Sequence, residues 1–232
     1  MTISTAAALL ASAVVACTAA PTPAPSPPSK AQPEPSPTTT AGDSGIDETI
    51  VRVRIERLTR DAATAGFETT VMDVLTDPRG WRRAGFMFVS DDHARYQIVL
   101  GEGRQVDRLC RPYDTRERFS CQNGPAVALN AERWRTATST WPAGLEAYRV
   151  MLVNHEVGHL LHLHHPQPQC PGRGLPAPVM AQQSTTLGGC QPNPWPLQWE
   201  VHLASRRAES LAPPARHDPA DHRPSPPPVR GG

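Results

Sequence analysis

The fold of this protein is decided by one histidine-rich run, Val153-Asn154-His155-Glu156-Val157-Gly158-His159-Leu160-Leu161-His162-Leu163-His164-His165. It places His-Glu-x-x-His inside an apolar stretch with helical spacing. On a helix, residues four apart lie one turn above each other on the same face, so His155 and His159 can present two imidazole nitrogens to one metal ion. Glu156 lies about 100° around the helix, where its carboxylate can take a proton from a metal-bound water. The spacing predicts a catalytic metal site, and zinc suits such ligands best.

A catalytic zinc needs a third protein ligand, and His165 is the best-placed donor downstream. Counted from His155, the run has the form His-Glu-x-x-His-x-x-His-x-x-His. It resembles the metzincin zinc-protease motif His-Glu-x-x-His-x-x-Gly-x-x-His. The resemblance implies that His155, His159 and His165 bind one Zn2+ and that Glu156 is the general base. His162 departs from the motif, because metzincins have glycine at that place.

The departure at His162 leads to a prediction about the backbone. On a continuous helix, His155, His159 and His162 would form a row about 10.5 Å long, whereas a tetrahedral site needs its third ligand from another direction. We therefore expect the helix to end near His162. This residue should take a left-handed or otherwise irregular conformation, at a cost of about 1 kcal/mol, and His165 is then the third ligand.

A methionine turn below the metal is a second feature of metzincins. The candidate is Ala177-Pro178-Val179-Met180-Ala181-Gln182, in which Met180 would pack below the metal without binding it. The chain also resembles, over roughly residues 46 to 200, a family of secreted actinobacterial proteins that has a metzincin-like domain and no assigned function. The matching segments are Asn154-His155-Glu156-Val157-Gly158-His159, Cys170-Pro171-Gly172, Pro176-Ala177-Pro178-Val179-Met180, Gly189-Cys190-Gln191-Pro192-Asn193-Pro194-Trp195-Pro196, Asp77-Pro78-Arg79-Gly80-Trp81 and Asp107-Arg108-Leu109-Cys110. This resemblance implies an α+β, metzincin-like zinc-peptidase domain with a small mixed sheet, a buried active-site helix and an irregular C-terminal lobe.

The five cysteines indicate an exported protein. Cys17 ends an apolar N-terminal segment and follows Val14-Val15-Ala16, which looks like a bacterial lipobox in which the cysteine is lipidated. The remaining four cysteines can pair evenly, and the simplest of the possible pairings is Cys110 with Cys121 and Cys170 with Cys190. Disulfides persist outside the cytoplasm. We expect a protein that is lipid-anchored on the outer face of the bacterial cytoplasmic membrane, or secreted.

Proline marks the ends of the folded domain. Of the 27 prolines, eight lie in residues 21–37 and seven in residues 213–228. The predicted organisation is a signal segment (1–16), a Pro-, Thr- and Ser-rich tether (17–45), the metzincin-like domain (46–212) and a disordered Pro-rich tail (213–232). A net charge of +1 provides no basic field for nucleic acid.

Apolar spacing predicts the main elements. Strands are expected over residues 50–56, 86–89, 96–100 and 126–130, and helices over 62–75, 145–161 and 201–211. Because the helix over 145–161 is apolar nearly all round, it should be buried.

Together these features predict a zinc metallopeptidase that cleaves a peptide or cell-envelope substrate, and a hydrolase of peptidoglycan cross-links is equally compatible. The alternative from another class is a non-catalytic zinc-binding or scaffolding lipoprotein. Glu156 favours the enzyme, since a structural zinc is normally closed by four protein ligands and needs no unligated carboxylate. Glu200 is an alternative third ligand, as in Glu-type zinc proteases, although its spacing motif is absent.

Overall fold

The computed structural model describes the backbone of residues 48–211 and the side chains of residues 48–208. It is an α+β domain whose elements, in chain order, are β1 (Thr49–Arg57), α1 (Phe67–Thr76), β2 (Phe86–Ser90), β3 (Tyr96–Gly101), α2 (Gly103–Leu109), β4 (Cys121–Asn123), β5 (Ala126–Asn130), α3 (Ala131–Thr136), α4 (Leu145–Leu160) and α5 (Gln198–Leu211). The predicted signal segment, the tether, the tail and the lipidation of Cys17 lie outside the described residues.

The five strands form one mixed sheet in the order β2-β1-β3-β5-β4. The first four strands are parallel, and β4 pairs antiparallel with β5 at the edge. The four predicted strands are confirmed. The sequence prediction missed β4, which has only three residues and therefore no readable alternation.

Each face of the sheet buries its own cluster. On β5, Val127 and Leu129 belong to the main core, whereas Ala128 between them packs with Val106 and Cys110 beside α2. This separation follows from the pleat, because successive side chains of a strand point to opposite faces. Helix α4 therefore lies on the main-core face, where it also contacts α1 and α3.

Helix α4 is buried, as predicted, with ten of its 16 residues shielded from solvent. Hydrogen bonds of two side chains hold α4 in place at Asn154. The indole of Trp81 donates to the carbonyl of Asn154 (3.0 Å), and the amide of Asn154 donates to the carbonyl of Pro194 (2.9 Å). The second half of α4, which carries the histidines, is thus held between the sheet and the C-terminal segment.

The prediction of one helix over 62–75 was wrong. Gly66 takes a left-handed conformation (φ 75°) and separates a short 3-10 turn, Ala62–Thr64, from α1. The short helices α2 and α3 were also missed, because six or seven residues are too few for a clear helical period. The last predicted helix is confirmed as α5, with its start three residues earlier.

Both predicted disulfides are present, Cys110–Cys121 and Cys170–Cys190. They indicate an oxidising, extracellular environment. The first closes residues 111–120 into a loop that leads directly into β4. Within the described part of the chain, no helix is long and apolar enough to cross a membrane.

Candidate metal centre

Three imidazoles converge at the C-terminal end of α4. His155 and His159 come from its last two turns, and His165 comes from the loop that follows. The Nε2 of His165 lies 3.1 Å from that of His159 and 3.3 Å from that of His155. The three residues that the sequence predicted as ligands are therefore brought together in one cluster.

The loop reaches this position because α4 ends at Leu160, as predicted from the poor metal geometry of three histidines in a row on one helix. His162 has φ 63°, so the predicted left-handed conformation is confirmed. The amide of His162 donates to the carbonyl of His159 (2.9 Å), and that of Leu163 donates to Gly158 (2.9 Å). These two bonds form a Schellman motif, in which the left-handed position usually has glycine. His162 thus takes the left-handed conformation that glycine usually has at this position.

The three histidines could hold a metal ion, and two of their nitrogen–nitrogen distances can be compared with metal geometry. Zn–N bonds of about 2.0 to 2.1 Å in a tetrahedral arrangement place ligand nitrogens about 3.3 to 3.4 Å apart, close to the distances observed here. The outer ring nitrogens also fit, because Nδ1 of His155 donates to the carbonyl of Val179 (2.8 Å) and Nδ1 of His159 to that of Leu163 (2.8 Å). A carbonyl only accepts, so each bond leaves the Nε2 lone pair directed at the cluster.

Burial keeps these imidazoles neutral. It lowers the pKa of His155 to about 3 and that of His165 to about 4, and the neighbouring histidines add to both shifts. Burial also lowers the pKa of His159. Because only the neutral imidazole binds a metal, all three groups are in the ligating form at neutral pH.

Glu156 lies beside the cluster without joining it. Its side chain is 5% exposed, lines the same cleft as the three histidines, and has no hydrogen bond or ion pair among residues 48–208. Desolvation raises the pKa of Glu156 to about 8. A cation bound by the histidines would oppose that shift, because it favours the charged carboxylate. The carboxylate is therefore free to exchange a proton in the cleft.

Met180 lies beneath α4, as the methionine-turn prediction requires. It is buried (1% exposed), and its sulfur contacts the backbone of Gly158 so closely that a Cβ at that position would overlap it. Gly158, within His-Glu-x-x-His, thus allows the turn to approach the helix. The same turn carries Val179, whose carbonyl orients His155.

Glu200 supports the turn and is not placed as a metal ligand, so the alternative that assigned it to the metal was wrong. Its buried carboxylate accepts the backbone N–H groups of Val179 (3.0 Å), Met180 (2.8 Å) and Leu197 (2.8 Å). Burial raises the pKa of Glu200, and the three donors oppose this rise. One local sign of this role could be read from the chain, since a glutamate in the first turn of a helix often accepts a backbone N–H there.

The cluster opens into a cleft of about 410 Å³. One wall is the disulfide-closed loop with the start of β4, and residues 182–185 also line the cleft. In its lining the hydroxyl of Tyr148 lies 2.9 Å from that of Ser184. Helical spacing places Tyr148 in line with the histidines of α4. No pattern in the chain marks Ser184, because it meets Tyr148 only through the packing of the turn on α4.

One comparison with known proteins identifies a family. No curated protein matches the chain. A family model described as a protein of unknown function, DUF3152, matches residues 30–191, which is more than half of the chain and contains all three histidines, Glu156, Met180 and the four disulfide cysteines. The protein therefore belongs to the DUF3152 family.

Proposed function

We propose that the protein is a zinc-dependent hydrolase of metzincin-like type, most simply a metallopeptidase, with Glu156 as general base. One observation carries the proposal: three neutral imidazoles with zinc-like spacing share a cleft with a buried carboxylate that has no partner among residues 48–208. A structural zinc site would normally be closed by a fourth protein ligand. Among the described residues, the potential metal-ligand group consists of these three histidines and is not completed by a fourth His, Cys, Asp or Glu.

Zinc in this site would supply Lewis-acid chemistry, polarising a carbonyl and making a water molecule more acidic. His155, His159 and His165 would hold the ion, with two of the rings fixed by backbone carbonyls. Glu156 would take the proton from the attacking water and return it to the leaving amine. The buried apolar side chain of Leu152 lines the same cleft.

A peptide substrate is favoured by the edge strand beside the site. β4 pairs with β5 on one side only, so its other edge has no strand partner among the described residues. Cys121 and Gln122 of this strand line the cleft. An extended peptide can add to such an edge through backbone hydrogen bonds. We infer a peptide or cell-envelope substrate, met outside the cytoplasm by a protein that is secreted or anchored through a lipid on Cys17.

The test combines metal analysis with hydrolysis assays on the purified full-length protein. We expect close to one zinc per chain. His159→Ala should lose the zinc, because two imidazoles are too few for tight binding, whereas His93→Ala, in an exposed turn, should keep it.

Glu156→Gln separates catalysis from binding. It should retain zinc and lose hydrolysis of a pooled peptide library by at least about a hundredfold, because removal of a general base costs about that much. Unchanged hydrolysis in this variant would contradict the assigned role. A wild-type protein that holds zinc but cleaves neither peptides nor peptidoglycan cross-links would instead favour a non-catalytic zinc-binding or scaffolding role.

A further inference from the structure

We propose that Arg118 and Arg133 form a subsite for a carboxylate on the C-terminal side of the bond that is cleaved. The inference rests on the proposed peptide hydrolysis and names its substrate class. It follows from three features of the cleft: a loop that is rigidly built, two arginines without acidic partners, and the direction of the edge strand.

The disulfide-closed loop has a conformation that the surrounding residues impose. Arg116 and Glu117 have φ 54° and 55°, which are unfavourable for residues other than glycine and persist only where neighbours hold them. The carboxylate of Asp114 accepts the amide of Arg116 (2.8 Å), and Asn130 donates to the carbonyl of Glu117 (3.0 Å). Gly103 lies so close to Glu117 that a Cβ would overlap its carbonyl. The loop is therefore a fixed wall of the cleft.

This wall presents aromatic and cationic groups to the cleft. Tyr113 is 62% exposed and Phe119 41% exposed, although both are large side chains that are usually buried. Arg118 lies between them in sequence and lines the cleft, and its guanidinium has no hydrogen bond or ion pair among the described residues. Aromatic rings flanking a free guanidinium are suited to an extended ligand that carries an acidic group.

Arg133 adds a second positive charge from α3. Its Nε donates to the carbonyl of Arg118 (3.1 Å) and its Nη1 to that of Ala137 (3.3 Å), so neutral groups hold it in place. Its Nη2 has no hydrogen bond within residues 48–208. Arg135, two residues further on, is instead paired with the carboxylates of Asp61 and Glu102.

The balance of charge in the cleft thus favours an anion. Among the described residues that line it, Glu156 is the only acid, and the proposed mechanism already uses it. The two guanidinium groups have no carboxylate within ion-pair distance in the described chain. A substrate carboxylate would supply the missing counter-ion, and the planar guanidinium binds carboxylates through paired hydrogen bonds.

The direction of β4 decides which end of the substrate carries this group. β4 runs from Cys121 to Asn123 and follows the loop directly. Antiparallel pairing is the more stable arrangement per residue, and a peptide that adds to β4 in this way runs opposite to it, so its C-terminal residues lie towards Ser120 and the loop. The carboxylate is therefore the free C-terminus of the substrate, or an Asp or Glu side chain on that side.

Binding is measured on zinc-loaded Glu156→Gln protein by calorimetry with three matched probes. These are acetyl-Ala-Phe-Ala-Ala with a free C-terminus, the same peptide as the C-terminal amide, and the amide with Glu as the last residue. We expect the free acid to bind at least about tenfold more tightly than the amide. Arg118→Gln and Arg133→Gln should each remove most of this difference, Arg118→Lys should restore part of it, and Arg108→Gln, an exposed arginine on α2, should leave it unchanged.

The probes distinguish the two sources of the carboxylate. If only the free acid binds more tightly than the plain amide, the subsite binds a C-terminus. If the Glu-containing amide binds more tightly than the plain amide, the subsite binds acidic side chains. Equal affinity of all three probes, or a preference that survives in both arginine variants, would overturn the proposal. Hydrolysis by the wild type is assayed separately with the same peptides. A carboxylate preference without cleavage would support the subsite and contradict the proposed hydrolase. Cleavage without a carboxylate preference would support the hydrolase and contradict the subsite.

Discussion

Replacing Glu200 with glutamine tests whether the metal centre depends on a carboxylate that does not touch the metal. Oε2 of Glu200 accepts from Val179 and Leu197, and Oε1 accepts from Met180. A glutamine can keep its oxygen at the Oε2 position, but its amide nitrogen then faces the N–H of Met180. The variant loses one acceptor, places two donors against each other and removes the charge from the other two bonds.

The expected loss can be worked from these three bonds. A hydrogen bond to a charged group contributes about 1.5 to 3 kcal/mol and a neutral one about 0.5 to 1.5 kcal/mol. One bond lost and two reduced to neutral strength give a decrease of about 3.5 to 6 kcal/mol in the free energy of unfolding. The zinc Kd should rise about tenfold, because partners of ligating histidines typically contribute ten- to hundredfold and Glu200 acts on His155 through Val179.

Two assays and one matched variant separate these effects. Urea unfolding of metal-free protein measures stability, and competition with a chromophoric chelator measures the zinc Kd. Glu146→Gln is the control, because Glu146 is exposed in the first turn of α4 and its replacement should cost less than about 0.5 kcal/mol. Equal stability of the two variants would refute the role of the carboxylate. Lower stability of Glu200→Gln with an unchanged zinc Kd would show that the methionine turn does not orient His155.

Three further predictions concern the same centre. His162→Gly should keep zinc and raise the free energy of unfolding by about 1 kcal/mol, since glycine accepts the left-handed conformation without strain; a loss of zinc would contradict the assignment of His165. Gly158→Ala should lower the melting temperature and weaken zinc binding, because its Cβ overlaps the sulfur of Met180, at a cost of about 1 to 3 kcal/mol; unchanged melting would refute this contact. In the metal-free protein, the contribution of the lowered histidine pKa values to stability is complete above about pH 6.5 and falls towards pH 4, so the three imidazoles should stay neutral well below pH 6.5 in NMR titrations; ligand-histidine resonances that titrate near pH 6.5 would show that these imidazoles are not buried as neutral groups.

The sequence allowed the centre of the fold to be predicted, because each part of it has a period or a spacing. The apolar run identified α4, and the alternation of valine and arginine identified β1. The end of α4 at His162 followed from metal geometry, since a row of three histidines on one helix cannot surround a tetrahedral ion. Spacing was informative here because the ligands lie within eleven residues of one another.

Other parts of the site depend on contacts between distant residues. The carboxylate of Glu200 meets Val179 and Met180 after a separation of about twenty residues. The cleft wall around Arg118 depends on Gly103 and Asn130, which come from two other elements. A sequence read in order contains no pattern for such contacts, because each arises only when the sheet and helices have packed.

The orientation of the histidine rings could not be predicted from the sequence, for a different reason. The rings of His155 and His159 are fixed by the backbone carbonyls of Val179 and Leu163, and any residue type at these two positions offers the same carbonyl. The position of each carbonyl depends on the path of the backbone. The Schellman motif at His162 sets this path for Leu163, and the hydrogen bonds of Glu200 set it for Val179. Substitutions that preserve the path should therefore preserve zinc binding even when they change Val179 or Leu163, whereas substitutions at Glu200 should not.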